Sequence, residues 1–297
     1  METIGRFRRM LEGLPFRSLP PRTTEAVCIL TQGQDPWGVA YSAGVLAKQA
    51  GFDLQYQYAT QPIRNAALYL LPCLSGHAMI PLRRLTELLE KVQAGATLYI
   101  SLDSGLPSSF EPIVGLEPQT RERRREFGPI ALDGIEGAPT IPTGGAFRVR
   151  FSPTRAEVLG SEPDGGPAFS LAAYGRGRVY FLSVPMEVTL TRTPGAFHAQ
   201  DAPECWRVYR AIAQEAMQAR IARKQHPMLG VTEHRVDEAH VVLVAVNYSP
   251  DAVTDSLDLS PGWTLDRVLH GEATVAGEGI AASVPGNDGL VVALRRG

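Results

Sequence analysis

The sequence predicts a three-layer α/β domain followed by a small antiparallel β-sandwich. Short apolar strands alternate with amphipathic helices from about residue 25 to residue 225, and one predicted strand, Ala66–Leu71, is apolar on both faces. Strands that are buried on both faces and joined by helices are typical of a parallel sheet with helices on each side. After Pro227 no helical periodicity remains, and short strands follow one another at turn-bounded intervals, which indicates a sandwich.

The length and composition are those of an ordinary globular protein. The chain has 297 residues, of which 44% are hydrophobic and 20% are charged. A prior of about 150 residues per domain suggests two domains. With 29 basic and 31 acidic residues the net charge is −2, so there is no electrostatic reason to expect binding to nucleic acid or to an anionic membrane. No apolar run approaches the roughly 20 residues that a membrane-spanning helix needs.

The cysteines and the N-terminal residues indicate a cytoplasmic protein. Cys28, Cys73 and Cys205 are widely spaced and form neither a CxxC pair nor a disulfide framework, so a reducing compartment is expected. Residues 1–16 contain arginines but no apolar core of a signal peptide. Residues 1–23 are predicted to form a connector helix, over residues 3–12, and a proline-rich linker.

The predicted α/β domain spans residues 24–225 and begins with regular alternation. A helix begins near Trp37 and ends at Ala50, where Gly51 stops it. A second helix, Pro81–Ala94, has leucines at helical spacing and Gly95 after its end. The predicted strands of this half are Ala26–Leu30, Asp53–Tyr58, Ala66–Leu71 and Ala96–Leu102.

The second half of this domain is less regular, because residues 104–165 are rich in Pro and Gly. The basic cluster Arg121–Arg125, interrupted by an acid, is predicted to be a solvated surface segment. A hairpin turn is predicted at Gly175-Arg176-Gly177, where glycine permits positive φ. One long helix is predicted over Pro203–Lys224. The predicted strands of this half are Phe147–Phe151, Ala156–Leu159, Phe169–Tyr174 and Arg178–Val184.

The predicted C-terminal β-sandwich spans residues 226–297. Six short strands in about 70 residues leave no room for helices between them. The predicted strands are Gly230–Glu233, Val241–Tyr248, Thr254–Asp258, Thr264–Val268, Ile280–Val284 and Leu290–Leu294.

Two residues at strand ends are the candidates for a catalytic role. Cys73 follows the third predicted strand, at the sheet edge where sites of α/β proteins form, and His77 stands four residues further on. An activated thiolate, however, needs a helix N-terminus or a nearby base. Asp103 follows another strand. Asp35 and Asp103 are together the candidate pair of carboxylates for glycosidase-type chemistry. Strand-end acids also cap helices and turns, so that alternative stays open.

The loop from Gln32 to Trp37 contains the candidate substrate-binding residues. Gln34, Asp35 and Trp37 place an amide, a carboxylate and an indole at the predicted carboxyl edge of the sheet. Sugars are commonly held by an aromatic face and side-chain hydrogen bonds. The structural alternative is that Asp35 caps the following helix and Trp37 packs in its first turn.

No cofactor and no metal ion is predicted. The glycine pairs at residues 144–145, 165–166 and 175–177 are not followed by a helix, as a dinucleotide-binding loop requires. The six histidines show neither HxH nor HxxxH spacing, and none stands near a cysteine pair.

The order of strands and helices from residue 25 to residue 225 resembles the flavodoxin-like fold of class I glutamine amidotransferases. In those enzymes the nucleophilic Cys lies in a Gly-x-Cys-x-Gly turn after the strand that corresponds to Ala96–Leu102. This sequence continues with Asp103-Ser104-Gly105 and has no cysteine there. The resemblance therefore implies the fold and not the amidotransferase activity.

A closer resemblance is to the non-catalytic C-terminal region of bacterial glycoside hydrolases. It includes the trimerisation domain of family 42 β-galactosidases and a related region of family 5-like enzymes. The segments that resemble it are residues 14–21, Gln34–Tyr41, Leu46–Gly51, Gly95–Ser101, Tyr174–Leu182, Thr232–His234 and Val246–Pro250.

This resemblance implies an accessory and assembly region of a carbohydrate-active hydrolase. The catalytic glutamates of such enzymes lie on a barrel of about 250 residues, for which this sequence has no room. The implied partners are a catalytic barrel, in cis or in trans, a carbohydrate and further copies of the chain, and the isolated chain is expected not to be catalytic. The alternative is an independent small-molecule hydrolase or sensor that uses Cys73, His77, Asp103 and Ser104.

Overall fold

A computed structural model describes Gly5, Arg8, Arg9, Leu11, Glu12, residues 18–76 and residues 79–297. The described residues before position 13 are helical. Most of the apolar face predicted for a helix over residues 3–12 lies outside the described residues, as does His77.

The chain divides into two compact units. The first, called the α/β unit, comprises Glu25–Ala50 and Leu54–Ala216. The second, called the β unit, comprises Gly51–Asp53, Met217–Gly297 and residues up to Thr24. The domain limits 1–23, 24–225 and 226–297 stay a prediction from the sequence.

A nine-stranded mixed sheet forms the centre of the α/β unit. Its order is β2-β1-β3-β4-β11-β10-β9-β6-β7, in which β2, β1, β3, β4 and β11 are parallel and the later pairs are antiparallel. A separate two-stranded ribbon pairs β5 with β8. The strands are β1 Ala26–Leu30, β2 Leu54–Tyr58, β3 Leu68–Leu74, β4 Thr97–Leu102, β5 Leu116–Arg123, β6 Ile130–Ala131, β7 Thr140–Ile141, β8 Phe147–Pro153, β9 Glu157–Ser161, β10 Pro167–Tyr174 and β11 Gly177–Leu182.

Helices cover both faces of the parallel strands. Alternate residues such as Ile29, Leu71 and Ile100 share a buried cluster with Leu88 and Val92 of a helix on one face. The residues between them, such as Cys28 and Tyr99, face the opposite layer because side chains alternate along a strand. The helices are α1 Pro36–Ala50, α2 Leu82–Gln93, α3 Phe110–Val114, α4 Met186–Thr191 and α5 Trp206–Ala213. The predicted three-layer α/β architecture is therefore confirmed.

The long helix predicted over Pro203–Lys224 is wrong. Helix α5 ends at Ala213, a 3₁₀ turn covers Ala216–Ala219, and β12, Ala222–Arg223, pairs with a strand of the β unit. The sequence prediction also missed the strands β5, β6 and β7 and the short helices α3 and α4. The basic cluster lies at the end of β5, where most of its side chains are exposed while Arg124 is buried.

The β unit contains two four-stranded antiparallel sheets, which confirms the predicted small β domain. Their orders are β12-β15-β18-β17 and β13-β14-β19-β16. Alternate residues of both sheets, such as Leu243, Leu257, Ile280 and Val292, form one buried cluster. Of these strands, β12 and β17 were not predicted. The remaining strands are β13 Leu229–Arg235, β14 His240–Asn247, β15 Val253–Leu259, β16 Trp263–His270, β17 Glu272–Ala276, β18 Gly279–Val284 and β19 Gly289–Arg296.

Candidate functional site

The parallel sheet has a topological switch point between β1 and β3. The chain runs from β1 to β2 on one side and then returns past β1 to β3 on the other. Connections from neighbouring strands therefore diverge and leave a crevice at their carboxyl ends, where ligands of α/β proteins bind. Two cavities lie at this edge.

The first cavity, called the central cavity, has a volume of about 540 Å³ and a mainly polar lining. It is lined by the loop after β1, the ends of β3 and β4, and the segment around α4. The lining residues are Gly33, Gln34, Asp35, Cys73, Asp103, Gly144, Gly145, Ala146, Pro185, Val188, Thr189, Arg192 and Thr193. The fold thus brings together four of the five predicted site residues.

Gln34 and Asp35 fix the loop between β1 and α1. The Gln34 side-chain amide donates to the carbonyl of Pro72 at 2.9 Å, and its oxygen accepts from the backbone N–H of Thr31. The Asp35 carboxylate accepts from the backbone N–H of Gly38 at 3.0 Å. This is the geometry of a helix N-cap, so Asp35 does cap α1, and it also lines the cavity.

Trp37 does not line either cavity. Its side chain is 81% exposed in the first turn of α1, one turn before Tyr41, which is 52% exposed. Two further exposed tyrosines, Tyr56 and Tyr58, lie on the edge strand β2, and the Tyr56 hydroxyl donates to the carbonyl of Ala40 at 2.6 Å. Trp37, Tyr41, Tyr56 and Tyr58 are called the aromatic face.

Cys73 lies within β3 and not in the loop after it. Its thiol is buried and donates a hydrogen bond to Glu187 at 3.2 Å, and its backbone N–H donates to the Ser101 hydroxyl at 2.7 Å. Burial, followed by the charge of Glu187, raises the pKa of Cys73 well above its ordinary value. The thiol is therefore protonated near neutral pH, which is the opposite of what a nucleophile requires.

Asp103 stands just after β4, as predicted, and lines the central cavity. Its backbone N–H donates to the carbonyl of Leu74 at 2.9 Å. The next residue, Ser104, exchanges a hydrogen bond of 2.9 Å with Ser75. Ser104 is therefore engaged in a loop contact between the ends of β3 and β4.

Glu187 is a buried carboxylate that sequence analysis did not find. One oxygen accepts from the hydroxyls of Tyr99 at 2.9 Å and Tyr209 at 3.0 Å. The other accepts from Ser101 at 2.8 Å and from Cys73. Burial raises the pKa values of Tyr99 and Tyr209 well above their ordinary range, so all four donors keep their protons.

The second cavity, of about 500 Å³, lies on the other side of the loop after β1 and shares Gly33 and Gln34 with the first. Its lining is mainly apolar and includes Leu30, Tyr58 and Met79. It therefore offers fewer hydrogen-bonding groups than the central cavity.

The described residues contain neither a candidate metal-binding cluster nor a candidate membrane-spanning helix. Within residues 18–76 and 79–297 and the five described residues before them, no group of three His, Cys, Asp or Glu is arranged to hold a metal ion. Over the same residues, no helix is long and apolar enough to cross a membrane.

The fold is similar to that of several glycosidases of known structure. A GH42 beta-galactosidase from G. stearothermophilus superposes with a TM-score of 0.61 at 14% identity, over 93% of this chain and 41% of that one. The beta-galactosidase from Bacillus circulans sp. alkalophilus gives a TM-score of 0.63 at 12% identity, over 92% and 41%. Alpha-L-fucosidase isoenzyme 2 from Paenibacillus thiaminolyticus gives 0.64 at 14% identity, over 93% and 49%.

These similarities confirm the predicted resemblance at the level of the fold. The chain spans about two fifths of the length of the beta-galactosidases that it matches. No family model matches the sequence, and comparison with curated proteins found no match.

Proposed function

We propose that this chain is the accessory and assembly region of a carbohydrate-active glycoside hydrolase. The observation that supports this proposal most directly is the superposition of 93% of the chain on about two fifths of a larger beta-galactosidase. The described strands and helices all belong to the α/β unit, its ribbon or the two small sheets, and none of them forms a (β/α)₈ barrel. The catalytic acids would then lie on a separate barrel, in cis or in trans.

The aromatic face is the surface that we assign to this assembly. Trp37 and Tyr41 stand one turn apart on α1 and are 81% and 52% exposed, and Tyr58 on the edge strand is 61% exposed. Neighbouring exposed aromatic side chains are typical of protein interfaces and of surfaces on which sugar rings stack. In this proposal the loop Gln34–Trp37 closes one side of a sugar cleft of the barrel or of a neighbouring copy.

The experiment that tests the proposal is to read the coding sequence upstream of the Met1 codon and to measure the mass of the protein from its native source. A frame that continues into a barrel, or a barrel polypeptide that co-purifies in fixed stoichiometry, is the expected result. A stop codon before Met1 together with a native mass of 32.2 kDa and no barrel partner would overturn it.

The role of the aromatic face is tested on the assembled protein. The substitution Trp37→Ala is expected to lower the assembled fraction in light scattering, with the melting temperature of the chain unchanged, because Trp37 is 81% exposed. Phe127→Ala is the matched control, because Phe127 is also an exposed aromatic residue, at 62%, and lies outside this face. Equal assembly of all three proteins would contradict the assignment.

A second candidate function is supported by the central cavity. A hydrolase or sensor that acts on a small molecule without a catalytic barrel would need such a cavity. Asp35, Asp103 and Arg192 are the charged residues that line it. The buried, protonated thiol of Cys73 argues against the version in which this cysteine is a nucleophile. The cavity therefore supports ligand binding more than covalent catalysis.

A further inference from the structure

We infer that the central cavity is a binding site for a neutral polyhydroxylated small molecule, of the size of a monosaccharide or disaccharide. The inference rests on the proposed function for its class of ligand. The site itself lies wholly within the α/β unit, so it needs no barrel to be complete.

Charged groups of both signs line the cavity without neutralising one another. Asp35 and Asp103 contribute two carboxylates and Arg192 a guanidinium, yet no ion pair within 4 Å joins Arg192 to either acid or to another acid among the described residues. Asp35 and Arg192 are exposed and Asp103 is half-buried, so water solvates these groups in the free chain and a ligand would replace that water. Here both acceptors and donors remain available to a ligand.

The hydrogen bonds already made in the wall define what the ligand must supply. Both ends of the Gln34 amide are engaged, so this side chain fixes the wall and offers little to a ligand. The Thr189 and Thr193 hydroxyls donate to helix carbonyls at 2.9 Å, which leaves their oxygens as acceptors. A ligand must therefore donate hydrogen bonds to carboxylate and hydroxyl oxygens and accept them from Arg192.

Hydroxyl groups meet both requirements, because each one donates and accepts. Adjacent hydroxyls on a ring can donate together to one carboxylate, since an ionised Asp has two acceptor oxygens. The two carboxylates outnumber the one guanidinium, so the lining has a net charge of −1 and disfavours an anionic ligand. A cation can pair with the two aspartates but leaves the Arg192 guanidinium without an acceptor, whereas a neutral polyol can engage all three groups.

The shape of the cavity depends on two glycines. A Cβ at Gly144 would overlap the Thr189 hydroxyl, so this loop lies directly against α4. Gly145 has a φ of +85°, which favours glycine, and a Cβ there would contact Pro185 at 3.2 Å. The cavity of about 540 Å³ has no aromatic lining residue, and its volume falls in the usual range for small-molecule sites. We expect recognition by hydrogen bonds alone and a Kd on the order of 1 mM.

The test is isothermal titration of the full chain with galactose, glucose, mannose and lactose. At least one of these is expected to bind, and to bind more tightly than putrescine and gluconate, the cationic and anionic probes. Asp103→Asn and Arg192→Gln are each expected to weaken binding by at least tenfold with unchanged circular dichroism. Asp133→Asn, an exposed carboxylate of the same unit that does not line the cavity, is the matched control and should bind as the unmodified chain does.

Failure to bind any of the four sugars would overturn the inference, and so would sugar binding that Asp103→Asn and Arg192→Gln leave unchanged. Tighter binding of putrescine or gluconate would overturn the choice of a neutral ligand. These outcomes are independent of the upstream coding sequence. Sugar binding by a chain that has no barrel partner would support the inference while the proposed function fails. A barrel partner without sugar binding in the central cavity would support the proposed function while the inference fails.

Discussion

The thiol of Cys73 and the carboxylate of Glu187, 114 residues apart in sequence, lie 3.2 Å apart in the interior of the α/β unit. The hydrogen bond joins β3 to α4, just beneath the wall of the central cavity. Because Glu187 also accepts from Tyr99, Ser101 and Tyr209, it connects α4 to β4 and α5 as well. The wall of the cavity therefore rests on a buried carboxylate.

Replacing Glu187 by Gln should lower the free energy of unfolding by about 2–4 kcal/mol. Each carboxylate oxygen of Glu187 accepts from two donors: one from Tyr99 and Tyr209, the other from Ser101 and Cys73. In Gln one of these oxygens becomes an amide nitrogen, which cannot accept, so two buried donors lose their acceptor. Urea unfolding followed by circular dichroism measures the change. Glu215→Gln is the control: it removes an exposed ion pair with Arg178, where we expect less than about 1 kcal/mol. Equal unfolding midpoints for the two variants would contradict a structural role for Glu187.

All three cysteines should be unreactive in the folded protein. Cys28, Cys73 and Cys205 are free and buried, and burial followed by the charge of Glu187 raises the pKa of each thiol. A raised pKa keeps the thiol protonated at pH values where an exposed cysteine, with a pKa of about 8.5, already forms thiolate.

Reaction with a thiol-specific chromogenic disulfide between pH 7 and pH 9 measures this. Slow release of the coloured thiol is expected at both pH values. After addition of denaturant, three equivalents of coloured thiol per chain should be released rapidly, one for each cysteine. One equivalent that reacts rapidly without denaturant, and is lost in Cys73→Ala, would restore Cys73 as a candidate nucleophile.

The elements of the parallel sheet could be predicted because their signals are local. The strand Ala26–Leu30 matches the prediction residue for residue, since a short apolar run between polar segments has few alternatives. The loop after β1 could be placed at the carboxyl edge of the sheet for the same reason. Gln34, Asp35, Cys73 and Asp103 thus line one cavity as strand-end residues of a parallel sheet should.

The site around Glu187 could not be predicted, because its partners come from distant parts of the chain. Tyr99 and Ser101 are 88 and 86 residues away, and nothing in the segment Val184–Thr191 marks the acid as buried. Arg192 was missed because a lone surface arginine has no sequence signature.

The error over Pro203–Lys224 also has a tertiary cause. The apolar spacing continues past Ala213, but Ala222 and Arg223 pair with Leu259 and Asp258 of β15. Strand pairing thus overrides the helical propensity of the last turns.

Replacing Arg220 by Leu should lower the stability of the β unit by about 3–5 kcal/mol. The Arg220 side chain is 1% exposed and lies 3.6 Å from the carboxylates of both Asp53 and Glu233, which are fully buried. Removing the guanidinium takes the fully buried cation away from both carboxylates, and Asp53 keeps the half-exposed Arg22 as an ion-pair partner, at 3.5 Å. Arg223→Leu, an exposed neighbour, is the control, with an expected change within about 0.5 kcal/mol. Thermal unfolding by calorimetry distinguishes the two, and an unchanged midpoint for Arg220→Leu would show that the ion cluster is not required.

Asp164 should make stability depend on pH in the acid range. The Arg148 guanidinium, which donates a hydrogen bond to this carboxylate, lowers the pKa of Asp164 from 3.8 to about 2, and Arg150 lies 3.0 Å away. A pKa that is lower in the folded state contributes stability above the unfolded value, and this contribution is lost as the pH falls from about 4 to about 2. Because the carboxylate is about one third exposed, solvent screening reduces the contribution to about 1 kcal/mol.

The comparison is between the unmodified chain and Asp164→Asn, unfolded in urea at a series of pH values. The variant should be less stable by about 1 kcal/mol at pH 7, and the two curves should converge as the pH approaches 2. Added salt should narrow the gap at pH 7, because an ion pair that is partly exposed is screened. Asp164 also accepts a hydrogen bond of 3.1 Å from the backbone N–H of Gly166. If the stability difference stayed constant from pH 7 to pH 2, the asparagine would be acting through packing or through this turn, and not through the charge of the carboxylate.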